Sequence, residues 1–324
     1  MRTIVHSVRT LVLICLFVTC ASQSFSQSIT TGNGKVELGL GVGPLFFLGD
    51  LGGNPGVGQS TWLKDVSFPL VKLAKGLYVN VYPTEWLGFR LAVNQGTLDG
   101  YDSVIKDKGG DEQFRKARNL EFRTNLLEAY VAAEFYPTVF LEKYDGLQGK
   151  LRPYGIIGVG FFHFNPQGRY YAPNGTVSWV DLQPLRLEGQ GMTEYPDRKQ
   201  YSLTQMEIPM GFGFKYYLKE NMYIGLEILH RQTFTDYIDN VSTSYIDPNL
   251  FAKYLNPQQT AEANQLYYRG NLIGGTPNIN TRPAIGEQRG DPKQNDAFFS
   301  TIIRLGWRIN QNRDIKYMRC PKFY

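Results

Sequence analysis

The sequence contains few cysteines, few histidines and no long apolar run. Its 324 residues include only 3 Cys and 3 His, which excludes a disulfide-rich scaffold and argues against a zinc site. After the first 27 residues, no apolar run reaches the roughly 18 residues that a transmembrane helix needs. The formal net charge of +5 is too small a surplus to indicate nucleic-acid binding.

Aromatic residues and glycine are abundant instead. The chain is 42% hydrophobic and 14% aromatic, with 21 Tyr, 20 Phe and 34 Gly. This balance favours glycine-kinked β-strands over helices, and the apolar content is too high for a disordered chain. We therefore expect a folded all-β protein.

The first 26 residues predict a secretory signal peptide. Arg2 and Arg9 flank a polar start, residues 10–21 form a short apolar run, and Ser24-Phe25-Ser26 supplies small residues at the cleavage position. We place the cut after Ser26, so that the mature chain begins at Gln27. The signal predicts export across the inner membrane.

Two other interpretations of this segment are lipidation at Cys20, which Thr19 disfavours, and an uncleaved anchor, which the polar residues 22–27 disfavour. Export without a transmembrane helix leaves three destinations. The protein is secreted, periplasmic, or an outer-membrane barrel whose strands hide their apolar residues by alternation.

Eight segments alternate apolar residues with polar, charged or small ones, as strands with two different faces do. They are residues 36–43, 77–81, 87–94, 120–136, 153–163, 204–215, 224–229 and 297–309. In the last one, Ile303 and Leu305 alternate with Arg304 and Gly306. Two irregularities occur. Within 120–136 the apolar residues change from even to odd positions, which predicts either a bulge or a strand end beyond the bilayer. In the sixth segment, Pro209 interrupts the strand.

The second face of these strands carries charge. Its charged residues are Glu37, Arg90, Glu128, Glu134, Glu207, Lys215, Glu227 and Arg304. Side chains fill the lumen of an eight-stranded barrel, so these groups are expected to pair with one another and to leave no wide pore.

Long and short connections alternate along the chain. The links after strands one, three, five and seven run to roughly twenty, twenty, forty and sixty residues, and the others are short or about fifteen residues long. An up-and-down transmembrane β-barrel with periplasmic termini and long extracellular loops has this pattern. We therefore predict an eight-stranded antiparallel barrel over residues 27–310; the alternative is a soluble β-sandwich, which has no reason to keep this alternation.

Few residues suggest chemistry. The only nucleophile and base that can be paired are Ser202 and His163. His and Ser residues at strand ends are more often structural. We therefore predict that the protein is not an enzyme and uses no cofactor. Asp236, Asp239 and Asn240 could bind a hard cation, but a turn is the simpler interpretation.

A series of short motifs runs along almost the whole mature chain. They are residues 49–51 (GDL), 118–125 (RNLEFRTN), 152–154 (RPY), 159–166 (VGFFHFNP), 181–185 (DLQPL), 188–191 (EGQG), 201–205 (YSLTQ) and 234–239 (FTDYID). In this order the motifs resemble the PorG-like outer-membrane β-barrel family of the type IX secretion system. The resemblance implies an accessory subunit in the outer-membrane lipid that contacts a periplasmic ring, made of a lipoprotein and its partner, and that has no catalytic residues.

The most favoured function is therefore to anchor or organise a protein-secretion complex. The alternatives are a surface adhesion or binding barrel acting through the loops near 164–201 and 236–296, and a lipid-modifying enzyme.

The segment 311–324 predicts a basic periplasmic tail. It carries Arg313, Lys316, Arg319 and Lys322, and Cys320 is the only cysteine left after signal removal. An odd cysteine in an oxidising compartment suggests a disulfide to another protein. Since the ring is implied by the resemblance, we expect Cys320 to pair with one of its components and the basic residues to steer the encounter; a frayed terminus is the alternative.

Overall fold

A computed structural model describes residues 35–51, 71–105, 112–141, 147–270 and 283–309. The signal segment and the basic tail, with Cys320 and its four basic neighbours, lie outside these residues. The strands are β1 Lys35–Leu48, β2 Lys72–Tyr82, β3 Leu87–Tyr101, β4 Glu121–Phe135, β5 Leu151–His163, β6 Gln167–Tyr171, β7 Val177–Asp181, β8 Thr204–Lys219, β9 Met222–Thr233 and β10 Ala297–Ile309. The helices are α1 Glu112–Arg118, α2 Phe251–Tyr254 and α3 Pro257–Leu266.

Eight of the strands close into an antiparallel barrel. The order around the wall is β3, β2, β1, β10, β9, β8, β5 and β4, and β3 pairs with β4 to close the ring. Each barrel strand therefore pairs with the barrel strands before and after it in the chain, apart from β1 and β10, which join the two ends of the chain. This closed up-and-down barrel confirms the predicted fold class, and the sandwich alternative is wrong.

The two ends of the barrel differ in the length of their connections. Short links at 83–86, 136–150 and 220–221 lie at one end, which we call the turn end, together with the start of β1 and the end of β10. The long connections lie at the opposite end, the loop end. The hairpin of β6 and β7 belongs to the loop after β5 and contacts the wall through the pair Arg123 and Gln167; the sequence did not predict this hairpin.

Burial alternates along the barrel strands as predicted. In β10 the residues Arg304, Gly306 and Arg308 face inward and are buried, whereas the side chains of Ile303 and Trp307 are exposed on the outer wall. The parity assigned to the last strand from sequence is therefore confirmed.

The parity shift in β4 is not a bulge. β3 and β4 pair without interruption from Leu87 and Phe135 to Tyr101 and Glu121. Phe122 therefore faces inward like Glu134 and is fully buried. What changes is the chemistry of the lumen, which is charged over most of its depth and apolar at the loop end. The other explanation, a strand that continues past the apolar part of the outer wall, accounts for the pattern.

Pro209 also has a local explanation. In the ladder between β5 and β8, pairing stops after Ile157 and Met210 and resumes at Gly160 and Glu207. Pro209 lies inside this interruption, where the ladder to β5 needs no N–H group, and on its other side it stays in register with Arg231 of β9.

The loops at the loop end pack into one body, which we call the cap. It comprises residues 49–51, 102–105, 112–120, 164–203, 234–270 and 283–296. Its core joins inward residues of the barrel to loop residues in a single buried apolar cluster, which includes Phe122, Phe162, Phe298, Leu187, Ile238, Ile246 and Phe251. The cap is thus built directly onto the apolar end of the lumen.

Within the described residues, no helix has the length and apolar character needed to cross a membrane.

Candidate functional site

The lumen gathers the charged residues that the sequence placed on the second face. All eight are between 0% and 3% exposed, and Arg231 and Arg308 join them. Apart from Arg152, which pairs with Glu85 at the rim, the described lumen balances five carboxylates against five cations. The carboxylates are Glu37, Glu128, Glu134, Glu207 and Glu227, and the cations are Arg90, Lys215, Arg231, Arg304 and Arg308.

These groups pair across the barrel and not only along its wall. Arg90 on β3 lies 2.6 Å from Glu227 on β9, and these two strands stand opposite each other in the ring. Arg90 also pairs with Glu134, and Arg304 pairs with Glu227. One ion pair therefore spans the full diameter of the barrel, and the inward charges pair with one another as the sequence predicted.

Lys215 is the hub of this network at the turn end. Its Nζ lies 2.7 Å from Glu37 and 3.5 Å from Glu134. Four tyrosine rings surround the ammonium group, with centroids 4.5 to 5.6 Å away; they belong to Tyr82, Tyr136, Tyr154 and Tyr223. Charge pairing and cation–π contacts together compensate the loss of water around this buried cation.

A second layer lies nearer the cap. Arg231 donates through Nε to Glu128 over 3.0 Å, and Asn94 donates to the same carboxylate over 2.8 Å. Glu207 is fully buried, and neither of its carboxylate oxygens has a hydrogen-bond partner within the described residues.

Glycines make room for the inward tyrosines. Gly39 pairs with Tyr78 and Gly306 pairs with Tyr223 across neighbouring strands. A Cβ atom at either glycine would overlap the facing ring. The small inward residues that the sequence indicated therefore serve to pack large rings, not to open a channel.

The outer wall has the opposite character, since every barrel strand places large apolar side chains on its surface. We call this surface the belt; its exposed members include Leu38, Leu40, Leu77, Val79, Phe89, Leu91, Leu127, Val131, Ile157, Phe161, Met210, Phe212, Ile224 and Ile303. Such a continuous exposed apolar surface exceeds what soluble monomers show.

Buried polar groups fasten the cap. Glu188 accepts hydrogen bonds from the backbone N–H of Ser242 (3.0 Å) and of Thr243 (2.9 Å), and it pairs with Arg289 at 2.8 Å. Arg118 pairs with Asp102 at 2.7 Å and donates to the carbonyl of Asp50 at 2.6 Å. The sequence patterns did not predict these contacts. Arg118 and Glu188 were noted only as members of the motifs 118–125 and 188–191.

Four carboxylates inside the cap interact electrostatically: Asp50, Asp236, Asp239 and Asp296. Asp239 accepts from the backbone N–H of Val241 and of Leu51, and Asp296 accepts from that of Ile238. Burial, reinforced by the charge of Asp50, raises the pKa of Asp236 to about 9. Burial and the neighbouring carboxylates also raise the pKa of Asp239 and of Asp296.

The turn interpretation of residues 236–240 is confirmed. The Asp239 carboxylate accepts a hydrogen bond from the backbone N–H of Val241, two residues further along the chain, as turn aspartates do. In the part of the chain that the structure describes, no group of three or more His, Cys, Asp or Glu side chains is arranged to hold a metal ion.

The one catalytic pairing that the sequence allowed is not assembled in the described residues. His163 lies exposed at the end of β5, and its Nδ1 is 3.0 Å from the hydroxyl of Thr204. The hydroxyl of Ser202 instead accepts from the backbone N–H of Thr204. His230 alternates with the buried Arg231 and so faces the outer wall.

No protein-family model matches the chain, and no curated protein matches it. Similar solved structures include a major outer membrane protein from Thermus thermophilus, with 14% identity, a TM-score of 0.40 and coverage of 86% of this chain and 100% of that one. Ail, the attachment invasion locus protein of Yersinia pestis, in complex with the heparin analogue sucrose octasulfate, has 7% identity, a TM-score of 0.35 and the same coverage. OprG from Pseudomonas aeruginosa has 11% identity and a TM-score of 0.34, with 86% and 96% of the two chains covered. These scores are too low to transfer a function to this chain.

Proposed function

We propose that the protein is an outer-membrane barrel that anchors or organises a protein-secretion complex of the type IX kind. The observation that carries the membrane location is the inversion of the wall, which is apolar and exposed outside and charged and buried inside. Exposing the apolar belt to water would cost free energy, whereas lipid covers it without that penalty.

The packed lumen supports an anchoring role over a transport role. A solute passing the barrel would have to break the pair between Arg90 and Glu227, which crosses the full diameter, and to displace Lys215 from its tyrosine cage. Separating buried ion pairs leaves charges without partners and is strongly unfavourable. The barrel is therefore best suited to hold a position in the membrane.

The series of PorG-like motifs supports the secretion role. Several of these motifs supply buried contacts of the cap: Arg118 pairs with Asp102, Glu188 pairs with Arg289, and Asp239 joins two loops by accepting from the backbone N–H of Leu51. The resemblance thus concerns the residues that shape the cap, as well as those that alternate in the strands.

The tail supplies the proposed contact on the turn side. Cys320 would form a disulfide with a component of the periplasmic ring, and the four basic residues around it would steer the encounter. Non-reducing electrophoresis of native membranes should show a higher-mass band that contains the barrel, disappears with reductant and is missing in Cys320→Ser.

A pull-down from native outer membranes tests the function. A tagged barrel should retain a ring-forming lipoprotein and its partner, and a variant that lacks 311–324 should retain less of both. Elution of the barrel alone, with unchanged protein secretion by cells depleted of it, would contradict the secretion role.

A surface-binding function is the second candidate, because the cap is a packed body with buried ties and not a set of loose loops. It predicts that replacing exposed cap residues abolishes cell-surface binding while the periplasmic complex stays intact.

A further inference from the structure

An apolar cluster lies outside the barrel at the turn end, where β4 leads into the connection 136–150. The rings of Trp86, Phe135 and Phe140 contact one another with centroids 6.0 to 6.3 Å apart. Phe140 is 65% exposed and Leu141 is 87% exposed, the highest value among the large apolar side chains of the described residues. The rings of the cluster thus pack against one another while its outer side chains stay exposed.

The backbone fixes the direction of these side chains. The N–H of Tyr136 donates to the carbonyl of Trp86 over 2.9 Å, and the N–H of Leu141 donates to that of Thr138 over 2.9 Å. Val139 packs against the tyrosine cluster inside the barrel end. Val139 thus faces the barrel end of this turn, whereas the side chains of Phe140 and Leu141 are exposed.

The cluster also continues the belt. Phe135 is the last outward residue of β4, in the same row as Leu127 and Val131. Residues 135–141 (FYPTVFL) contain no charged side chain, and Trp86 places an indole at the edge, where amphipathic rings favour the membrane–water interface.

We propose that residues 135–141 and Trp86 form a lipid-binding anchor, seated in the interface of the leaflet at the turn end. The occupant is the lipid surface and not a periplasmic protein, because the cluster is uncharged and runs without a break into the belt. This inference rests on the membrane location proposed above.

Spin labels at three positions test the anchor. Leu141→Cys, Val131→Cys and Ile285→Cys are made separately in a Cys320→Ser background, labelled with a nitroxide, and the refolded barrels are placed in phosphatidylethanolamine and phosphatidylglycerol vesicles. Val131 is 53% exposed in the middle of the belt and Ile285 is 62% exposed in the cap, so they serve as the lipid and water references. The measurement compares collisions with oxygen, which partitions into lipid, and with a water-soluble nickel chelate.

The ratio of oxygen to nickel accessibility at 141 should approach that at 131 and exceed that at 285 several-fold. A label at 141 that behaves like the one at 285, while 131 reports lipid, would overturn the anchor and leave the membrane location standing. A label at 131 that reports water would overturn the membrane location itself.

Discussion

Lys215 on β8 and Glu37 on β1 meet inside the barrel, where the ammonium nitrogen lies 2.7 Å from a carboxylate oxygen and neither side chain is exposed. These strands are not neighbours in the wall, so the contact joins two separated parts of the ring through the lumen. The pair shows that the interior of this barrel is a core made of charges and tyrosines.

Replacing Lys215 by Met should therefore be severe, because it leaves Glu37 and Glu134 buried without their shared cation. We expect the free energy of unfolding to fall by about 3–5 kcal/mol, measured by urea unfolding in micelles. Lys219→Met, on the exposed end of the same strand, is the matched control and should change little. The double variant with Glu134→Gln should recover part of the loss, because Glu37 keeps Arg308 as a partner and Arg90 keeps Glu227. Equal stability of Lys215→Met and the control would show that the pair is not part of the folded core.

Gly306 tests the packing of the tyrosines. Gly306→Val places a side chain against the Tyr223 ring, and overpacking of this kind costs about 1–3 kcal/mol or more. Gly155→Val is the control, since a Cβ atom at Gly155 has nothing within 4 Å and valine suits a strand. Comparable unfolding curves for the two variants would contradict the assigned role of Gly306.

The sequence predicted the barrel well because successive residues of each barrel strand face two different environments, the lumen and the outer surface. Alternation therefore located all eight barrel strands, and Ile303 and Arg304 show the correct faces. The prediction was ambiguous where this contrast reverses: at the loop end of β4 the inward Phe122 is apolar and packs under the cap, whereas the outward Glu121 and Arg123 are charged.

The contacts of the cap could not be predicted by the same reasoning. Glu188 and Arg289 are 101 residues apart, and no periodicity links them. Likewise, Arg90 and Glu227 were both predicted to face inward, but only the closed ring determines that they are partners.

Leu305→Arg tests the lipid face. Leu305 lies on the outer wall between Ile303 and Trp307, so an arginine there should lower barrel stability by about 2–4 kcal/mol if the site is near the bilayer midplane. The folded fraction in vesicles, read from heat-modifiable electrophoretic mobility, measures this loss. Ile285→Arg adds the same charge to the cap and should insert normally; normal insertion of Leu305→Arg as well would mean that lipid does not cover this face.

The buried aspartates should make the cap less stable as pH rises. An unfolded aspartate titrates near pH 4, whereas burial and the Asp50 charge raise the pKa of Asp236 in the folded chain to about 9. Between these values the folded cap binds more protons than the unfolded chain, so stability is fully present below pH 4 and is lost progressively towards pH 9.

Hydrogen exchange of the Ile238 amide, which donates to Asp296, reports this opening once the intrinsic effect of pH is removed. Protection should be weaker at pH 8 than at pH 5, and each carboxyl that stays protonated in the folded cap contributes a slope of about 1.4 kcal/mol per pH unit. Asp236→Asn keeps the shape without the ionisation, so it should remove the part of this dependence that Asp236 contributes, which lowers the slope and strengthens the cap at pH 8. Asp197→Asn, at an exposed position of the cap, should leave the dependence unchanged. Protection that increased with pH would mean that the aspartates stay ionised and compensated in the folded cap.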